Sequence, residues 1–194
     1  MSESPLQSFT EKLAAFAGGQ AGIRNPFAIV AVDPAYEHTV TQRLAAWTET
    51  PPAELTEVSA TIQPVWLDEL ISETTVYNLA VGLSEEQNIA TIRSTLESRL
   101  AEELVDEIRA TSDLEALRDP SHVLLLLNVG SVYPFTRASE LLDELDRRNV
   151  SSTIGVAFPG VITNGKLAAY GVDARGYYPA HLIEGQITAA NLQQ

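Results

Sequence analysis

Val123-Leu124-Leu125-Leu126-Leu127 is the most apolar run of the chain, and it passes directly into Asn128-Val129-Gly130-Ser131-Val132-Tyr133-Pro134-Phe135-Thr136-Arg137. The run is too short to be a free-standing helix, whereas a strand covered on both faces needs just such an unbroken apolar stretch. It is therefore read as a central buried strand. The segment behind it is read as a loop opening a helix, whose inward stripe is Ala138, Leu141, Leu142 and Leu145. Arg147 and Arg148 fall in that helix's last turn, where positive charge complements the helix dipole.

Working outward, Phe27 to Val32 (FAIVAV) and Thr153 to Phe158 have the same doubly covered character, the second ended by Pro159-Gly160. Asp33 caps the helix that follows the first of these. Pro34 suits that helix's opening turn, Tyr36, Val40, Leu44 and Trp47 form its apolar stripe, and Pro51-Pro52 ends it. Val58 to Val65 reads as a further strand. Trp66 to Val81 fits helix and strand templates about equally and is read as mostly helix. Ser84 and Gln87 form a capping box before Ile89, Ile92, Leu96, Leu100, Leu104 and Ile108, the stripe of the longest helix. At the N-terminus, Ser4, Pro5 and Gln7 spell a helix start and Gly18-Gly19 a stop, with Leu6, Phe9, Leu13 and Phe16 on one face.

Towards the C-terminus, Asn164-Gly165 between Val161-Ile162-Thr163 and Lys166-Leu167-Ala168 is a strong hairpin signal, and Ala180 to Ile183 reads as a last short strand. The expected fold is α/β: one domain over residues 1–194, with an N-terminal helix at 5–17 and a core at 27–183. A mostly parallel central sheet is flanked by helices, with a C-terminal antiparallel hairpin forming an edge.

The charge pattern narrows the function. Twenty-six acidic residues face twelve basic ones, a formal charge of −14, and that field repels phosphates, so no direct nucleic-acid binding is expected. A DNA-contacting role would need a local arginine patch, for example around Arg147 and Arg148. The absence of cysteine rules out thiolate metal sites, disulfides and a cysteine nucleophile. No run of about 18 apolar residues is present, so no membrane span is expected, and a cytoplasmic location fits.

The search for catalysis is negative. Gly155 to Gly160 has the glycine spacing of a phosphate-binding loop, but Val161 and Ile162 stand where Lys and Ser/Thr are required. Ser131 follows Gly130, yet Tyr133 replaces the second glycine of a nucleophile elbow. His38, His122 and His181 share no metal-ligand spacing and are read as surface or capping residues. No catalytic residue, metal or cofactor is assigned. Asp33, Asn128 and Gly130 remain as a possible ligand position at the strand ends, with Asp33 also explained as a cap. Glu85, Glu86, Glu97, Glu102, Glu103, Asp106 and Glu107 are read as the solvated face of the long helix, the alternative being docking onto an arginine-rich partner. Tyr133, Pro134, Phe135 and Arg137, with Tyr177 and Tyr178, are the candidate partner-binding residues, the alternative being that Phe135 and a tyrosine close the core.

The segment HVLLLLNVGSVYPFTRASELLDEL at 122–145 resembles the BrxB family of BREX bacteriophage-exclusion systems, in which an apolar strand runs into Gly-Val-Gly, aromatic-Pro-Phe and Arg-Ser-His before a leucine-rich helix. Phe158-Pro159-Gly160 resembles that family's Tyr-Pro-Gly, Tyr177-Tyr178 its paired tyrosines, and Val32-Asp33-Pro34 with Glu37 its Tyr-Asp-Pro and nearby Glu. The likeness is firmest over residues 122–178. Asn128 departs from the usual Gly, Ala138-Ser139 from Ser-His, and Pro179-Ala180-His181 from Arg-Ala-Phe. The resemblance implies a non-catalytic adaptor beside a PglZ-type alkaline-phosphatase-like protein, a large ATPase and an adenine methyltransferase, with PglZ as the expected partner. The alternative is a nucleotide- or metal-binding enzyme or sensor using the strand ends near Asp33 and Gly130.

Overall fold

The two unbroken apolar runs lie inside one sheet. The computed structural model describes residues 4–19, 25–82, 89–169, 172–175 and 179–192. Strands β1 (Phe27–Val32) and β3 (His122–Leu127) are buried along their whole length. They alternate with β2 (Thr61–Trp66), β4 (Thr153–Thr163) and β7 (His181–Ile187) in the order β2-β3-β4-β1-β7, all neighbours parallel. The α/β reading with a mostly parallel sheet therefore holds. Two short strands, β5 (Lys166–Ala169) and β6 (Val172–Arg175), hang from β4 in antiparallel pairing.

Alternation along the inner strands divides the core into two layers. Phe27, Ile29, Leu124, Leu126, Ile154 and Val156 face one side, covered by α4 (Leu67–Glu73), α5 (Thr75–Gly82), α6 (Ile89–Thr111) and α7 (Ala138–Arg147). Ala28, Val30, Val32, Val123, Leu125 and Leu127 face the other, covered by α1 (Pro5–Ala17), α2 (Glu37–Ala45) and α3 (Ala53–Glu57). The path from β1 to β2 crosses the sheet one way over the second layer. The paths from β2 to β3 and from β3 to β4 run the opposite way over the first, so the connections share one hand. α8 (Ala189–Leu192) follows β7.

Local signals explain most ends. Ser4 Oγ accepts the Gln7 N–H at 3.2 Å with Pro5 opening α1. Asp33 Oδ1 accepts the Ala35 N–H at 3.0 Å and caps the 3-10 turn Pro34–Tyr36 ahead of α2. Asn164 and Gly165 have φ of 53° and 70°, the left-handed pair that a two-residue hairpin requires. Trp66 to Val81 contains α4 and α5 after the last residue of β2, in keeping with the mostly helical reading.

Four expectations are corrected. The second strand begins at Thr61 and not at Val58, because the preceding residues form α3 with Val58 as its C-cap. β4 does not stop at Pro159-Gly160: Pro159 lies opposite Val32, Gly160 opposite Ala169, and the strand runs on to Thr163. The hairpin therefore grows from the end of an inner strand, and the sheet's edges are the parallel strands β2 and β7. β7 continues to Ile187 past Gly185, whose φ of 90° accompanies the register shift against β1. The Ser84–Gln87 capping box, with Glu85 and Glu86 inside it, lies outside the described residues. No described helix is long and apolar enough to cross a membrane.

Candidate functional site

The loops that leave β1 and β3 do so at the same end of the sheet but towards opposite faces, with the end of β4 between them. In parallel α/β sheets such a divergence opens a crevice. Here it is bridged from within. Asn128 ends β3 in the left-handed region, φ 56° and ψ 42°, and turns the chain into the 3-10 segment Val129–Val132. That turn aims the Gly130 N–H back across β4, where it donates to Glu37 Oε1 at 2.9 Å, a contact between residues 93 apart in sequence. Val129 and Val132 are buried beneath it, and the Ser131 Oγ–H donates to the Asn128 carbonyl at 2.7 Å.

This geometry settles what the Gly130 amide does. At these strand ends a carboxylate of the protein itself holds that N–H. Asp33 is likewise engaged as a cap, while its own N–H donates to the Ile187 carbonyl at 2.9 Å. The Gly155 to Gly160 stretch is strand with no loop to cradle a ligand. Among the described residues no group of three or more His, Asp or Glu side chains is disposed to hold a metal ion. Glu37→Ala is expected to release the loop and cost about 1–2 kcal/mol, the range for a lost partly buried hydrogen bond. Faster hydrogen exchange at the Gly130 amide, with a lowered Tm, is the readout, and an unchanged amide would show the bridge to be idle.

Beyond Val132 the chain surfaces. Tyr133 is 39% exposed, Pro134 is exposed, and the peptide between them is cis. Phe135 is half-buried against the first core layer. The fork between interface and core closure thus divides: Phe135 closes the core, and Tyr133 and Pro134 face outward. Thr136 is buried, its Oγ–H donating to Glu140 Oε2 at 3.1 Å, and the Arg137 N–H donates to the same oxygen at 2.9 Å. Glu140 so ties down the start of α7. Tyr177 and Tyr178 lie outside the described residues.

Arg147 and Arg148 do not form a free phosphate patch. Arg147 pairs with Glu144 at 2.6 Å, and Arg148 reaches Glu144 at 2.8 Å, Glu102 at 3.1 Å and Asp106 at 3.0 Å, joining α7 to α6. Hydrogen bonding to Glu144 holds the Arg148 guanidinium even more firmly protonated than usual. The acidic face of α6 is therefore only partly solvated. Glu103 also has a structural role: its Oε2 accepts the Val76 N–H at 2.8 Å, in the first turn of α5, and its Oε1 pairs with Arg99.

His122, read as a surface or capping residue, is not on the surface. It begins β3, is buried, and its Nδ1 lies 3.0 Å from Ser152 Oγ. The serine hydroxyl has a single proton and lies 3.2 Å from the Ala116 carbonyl. Donation to that carbonyl makes Nδ1–H the donor to Ser152. Burial lowers the His122 pKa, opposed by the charges of Asp119 and Asp113. The unfolded chain then takes up the proton first, so this part of the stability is full above the ordinary histidine pKa of about 6.5 and drains as pH falls below it. Wild type is expected to lose more Tm between pH 7 and pH 5 than His122→Asn does. Equal losses would place the acid sensitivity elsewhere.

Against this geometry stands the comparison with known families. A family model described as "BREX protein BrxB" matches residues 62–183, well over half of the chain. The chain belongs to the BrxB family. It is accordingly a BREX phage-defence subunit, as the resemblance over residues 122–145 implied. The matched span of this BrxB-family chain runs from Ile62 in β2 to the first residues of β7, including the bridged loop and Tyr133. Asp33 and Glu37 precede it. No curated protein and no solved structure gives a significant match.

Proposed function

We propose that this BrxB-family chain is a non-catalytic adaptor that docks another BREX subunit, the PglZ-type alkaline-phosphatase-like protein first, through the surface of Tyr133, Pro134 and Arg137. One observation carries the reading: an exposed Tyr-Pro pair sits on a loop immobilised at both ends, by Glu37 on Gly130 and by Glu140 on Thr136 and Arg137. A side chain held in place before contact loses little further freedom on binding, and Tyr and Arg recur among interface hot spots. The internal carboxylate on Gly130 speaks against a nucleotide sensor at this spot. With no free arginine pair at 147–148, the field of the whole chain keeps nucleic acid away.

Co-purification of the full chain with the PglZ-type subunit, the ATPase and the methyltransferase of its own operon tests the reading. A stable complex is expected with one of them, and Tyr133→Ala is expected to weaken it roughly 30-fold, about 2 kcal/mol. Elution apart from every subunit, or a Tyr133→Ala variant that binds as wild type, would remove the proposal.

A further inference from the structure

α5 is more apolar than its packing requires. Its sequence, TVYNLAVG, has no charged residue, yet Val76 is its one fully buried side chain, with Ala80 half-buried on the same face one turn on. At about 100° per residue, Leu79 and Val81 fall on either side of that face, and they are 52% and 61% exposed. A helix that is apolar on more than one side is normally covered on each. Single exposed leucines are ordinary, but exposed apolar side chains gathered in one element mark an interaction surface. Of the six large apolar side chains exposed among the described residues, Leu79, Val81 and Ile89 all belong to the α5–α6 hairpin.

The helix is nevertheless firmly seated. Glu103 of α6 accepts the Val76 N–H at 2.8 Å, Thr74 Oγ1 accepts the Tyr77 N–H at 3.3 Å, and the Asn78 side chain donates to the Ser72 carbonyl of α4 at 3.1 Å. Charge around it is one-sided. From Leu44 to Ile92 the sequence holds eight acidic residues and no Lys, Arg or His. Asp68, Glu69 and Glu73 on α4 are exposed, and among the described residues none is paired with a cation. The nearest arginines along α6, Arg93 and Arg99, are each held at 2.8 Å by a carboxylate one turn on, Glu97 and Glu103. A surface that covers α5 must therefore be apolar at its centre and cationic at its rim. A second copy of the chain, itself carrying −14, meets the second requirement nowhere near this hairpin.

We infer that α5 is a docking helix, which seats in an apolar groove of a partner protein whose rim presents Lys and Arg side chains to Asp68, Glu69 and Glu73. The groove belongs to the partner because α5 offers apolar side chains to both flanks, and a flat surface would cover only one of them. This contact is additional to the Tyr133 surface and does not depend on it.

Each of the other BREX subunits of the same operon, purified singly and mixed with the full chain, is the probe. With one of them, amide exchange is expected to slow over residues 76–82, and binding to weaken several-fold as salt rises from roughly 50 to 300 mM. Leu79→Glu with Val81→Glu is expected to weaken that binding about tenfold or more while the Tm stays near wild type, both side chains being more than half exposed. Asp68→Lys with Glu73→Lys, which sets like charges against the rim, should weaken it as well. At saturating partner, Tyr133→Ala should leave the slowed exchange at 76–82 in place, which separates the failure of this contact from that of the adaptor surface. A bound subunit that leaves α5 exchange unchanged, a Leu79→Glu/Val81→Glu variant that binds as wild type, or indifference to the α4 charge reversal would each overturn the inference. So would a dimer of the chain alone that the Leu79→Glu/Val81→Glu variant dissolves.

Discussion

Phe9→Ala is expected to lower the unfolding free energy by about 3–5 kcal/mol, the usual range for emptying a buried phenyl site, and the Tm by roughly 10 °C for a chain of this size. Phe9 is completely buried on α1, tilted against Trp47 with ring centroids 6.4 Å apart. Its ring also lies directly over Gly155 of β4: a Cβ there would stand 2.9 Å from Phe9 Cζ, 2.9 Å from Leu125 Cδ2 and 3.2 Å from Leu13 Cδ1. The glycine lets the helix approach the sheet, and the ring fills the space it leaves. Gly155→Ala alone should therefore cost about 1–3 kcal/mol by overpacking, and markedly less once the ring is gone. Denaturant unfolding of the two single variants and the double variant closes the cycle, with a coupling of about 0.5–3 kcal/mol expected for groups in contact. Strict additivity would show that the helix does not sit on β4 at this point.

Gly160→Ala is expected to cost about 3 kcal/mol, at the upper end of overpacking because the obstacle is backbone. A Cβ at this position would run into the carbonyl of Ala168 on β5, with the Phe158 ring 3.0 Å away on another side. A ring tip swings aside at little cost, but a carbonyl in a strand pair moves only with its strand. The variant should thus lose the β4–β5 pairing locally, visible as a lowered Tm together with faster amide exchange at Leu167 and Ala168. A Gly160→Ala protein with native stability and a protected β5 would contradict the close approach. The same observation gives a physical reason for the Phe158-Pro159-Gly160 resemblance to the BrxB family: the position admits no side chain where the long strand passes from the sheet into the hairpin.

Much of the site was legible locally. The strand before Asn128, the loop after it and the stripe of α7 all follow from a change of apolar period, and the Asp33 cap from its place between FAIVAV and a proline. The bridge itself was not legible. Glu37 and Gly130 are paired because β4 lies between β1 and β3, and strand order is a property of the whole sheet that no window of sequence contains. The burial of His122 and the engagement of Arg148 by Glu102 and Asp106 were missed for the same reason: each partner comes from another element.

What the amino-acid sequence determined alone was the kind of element at most positions: continuously apolar strands for a sheet covered on both faces, amphipathic helices to cover it, Asn164-Gly165 for a tight hairpin. These depend on the nearest few residues, through side-chain period and backbone preference, and so can be read in place. Only the tertiary structure decided that β4 runs on through Pro159 and Gly160, that β1 sits between β4 and β7, and that the Gly130 amide answers to Glu37. Local breakers such as proline act on a single strand, whereas pairing with Val32 on one neighbour and Ala169 on another outweighs them once the sheet has formed. Long-range hydrogen bonding and close packing, not local propensity, place the last residues of a strand and the partners of its loop.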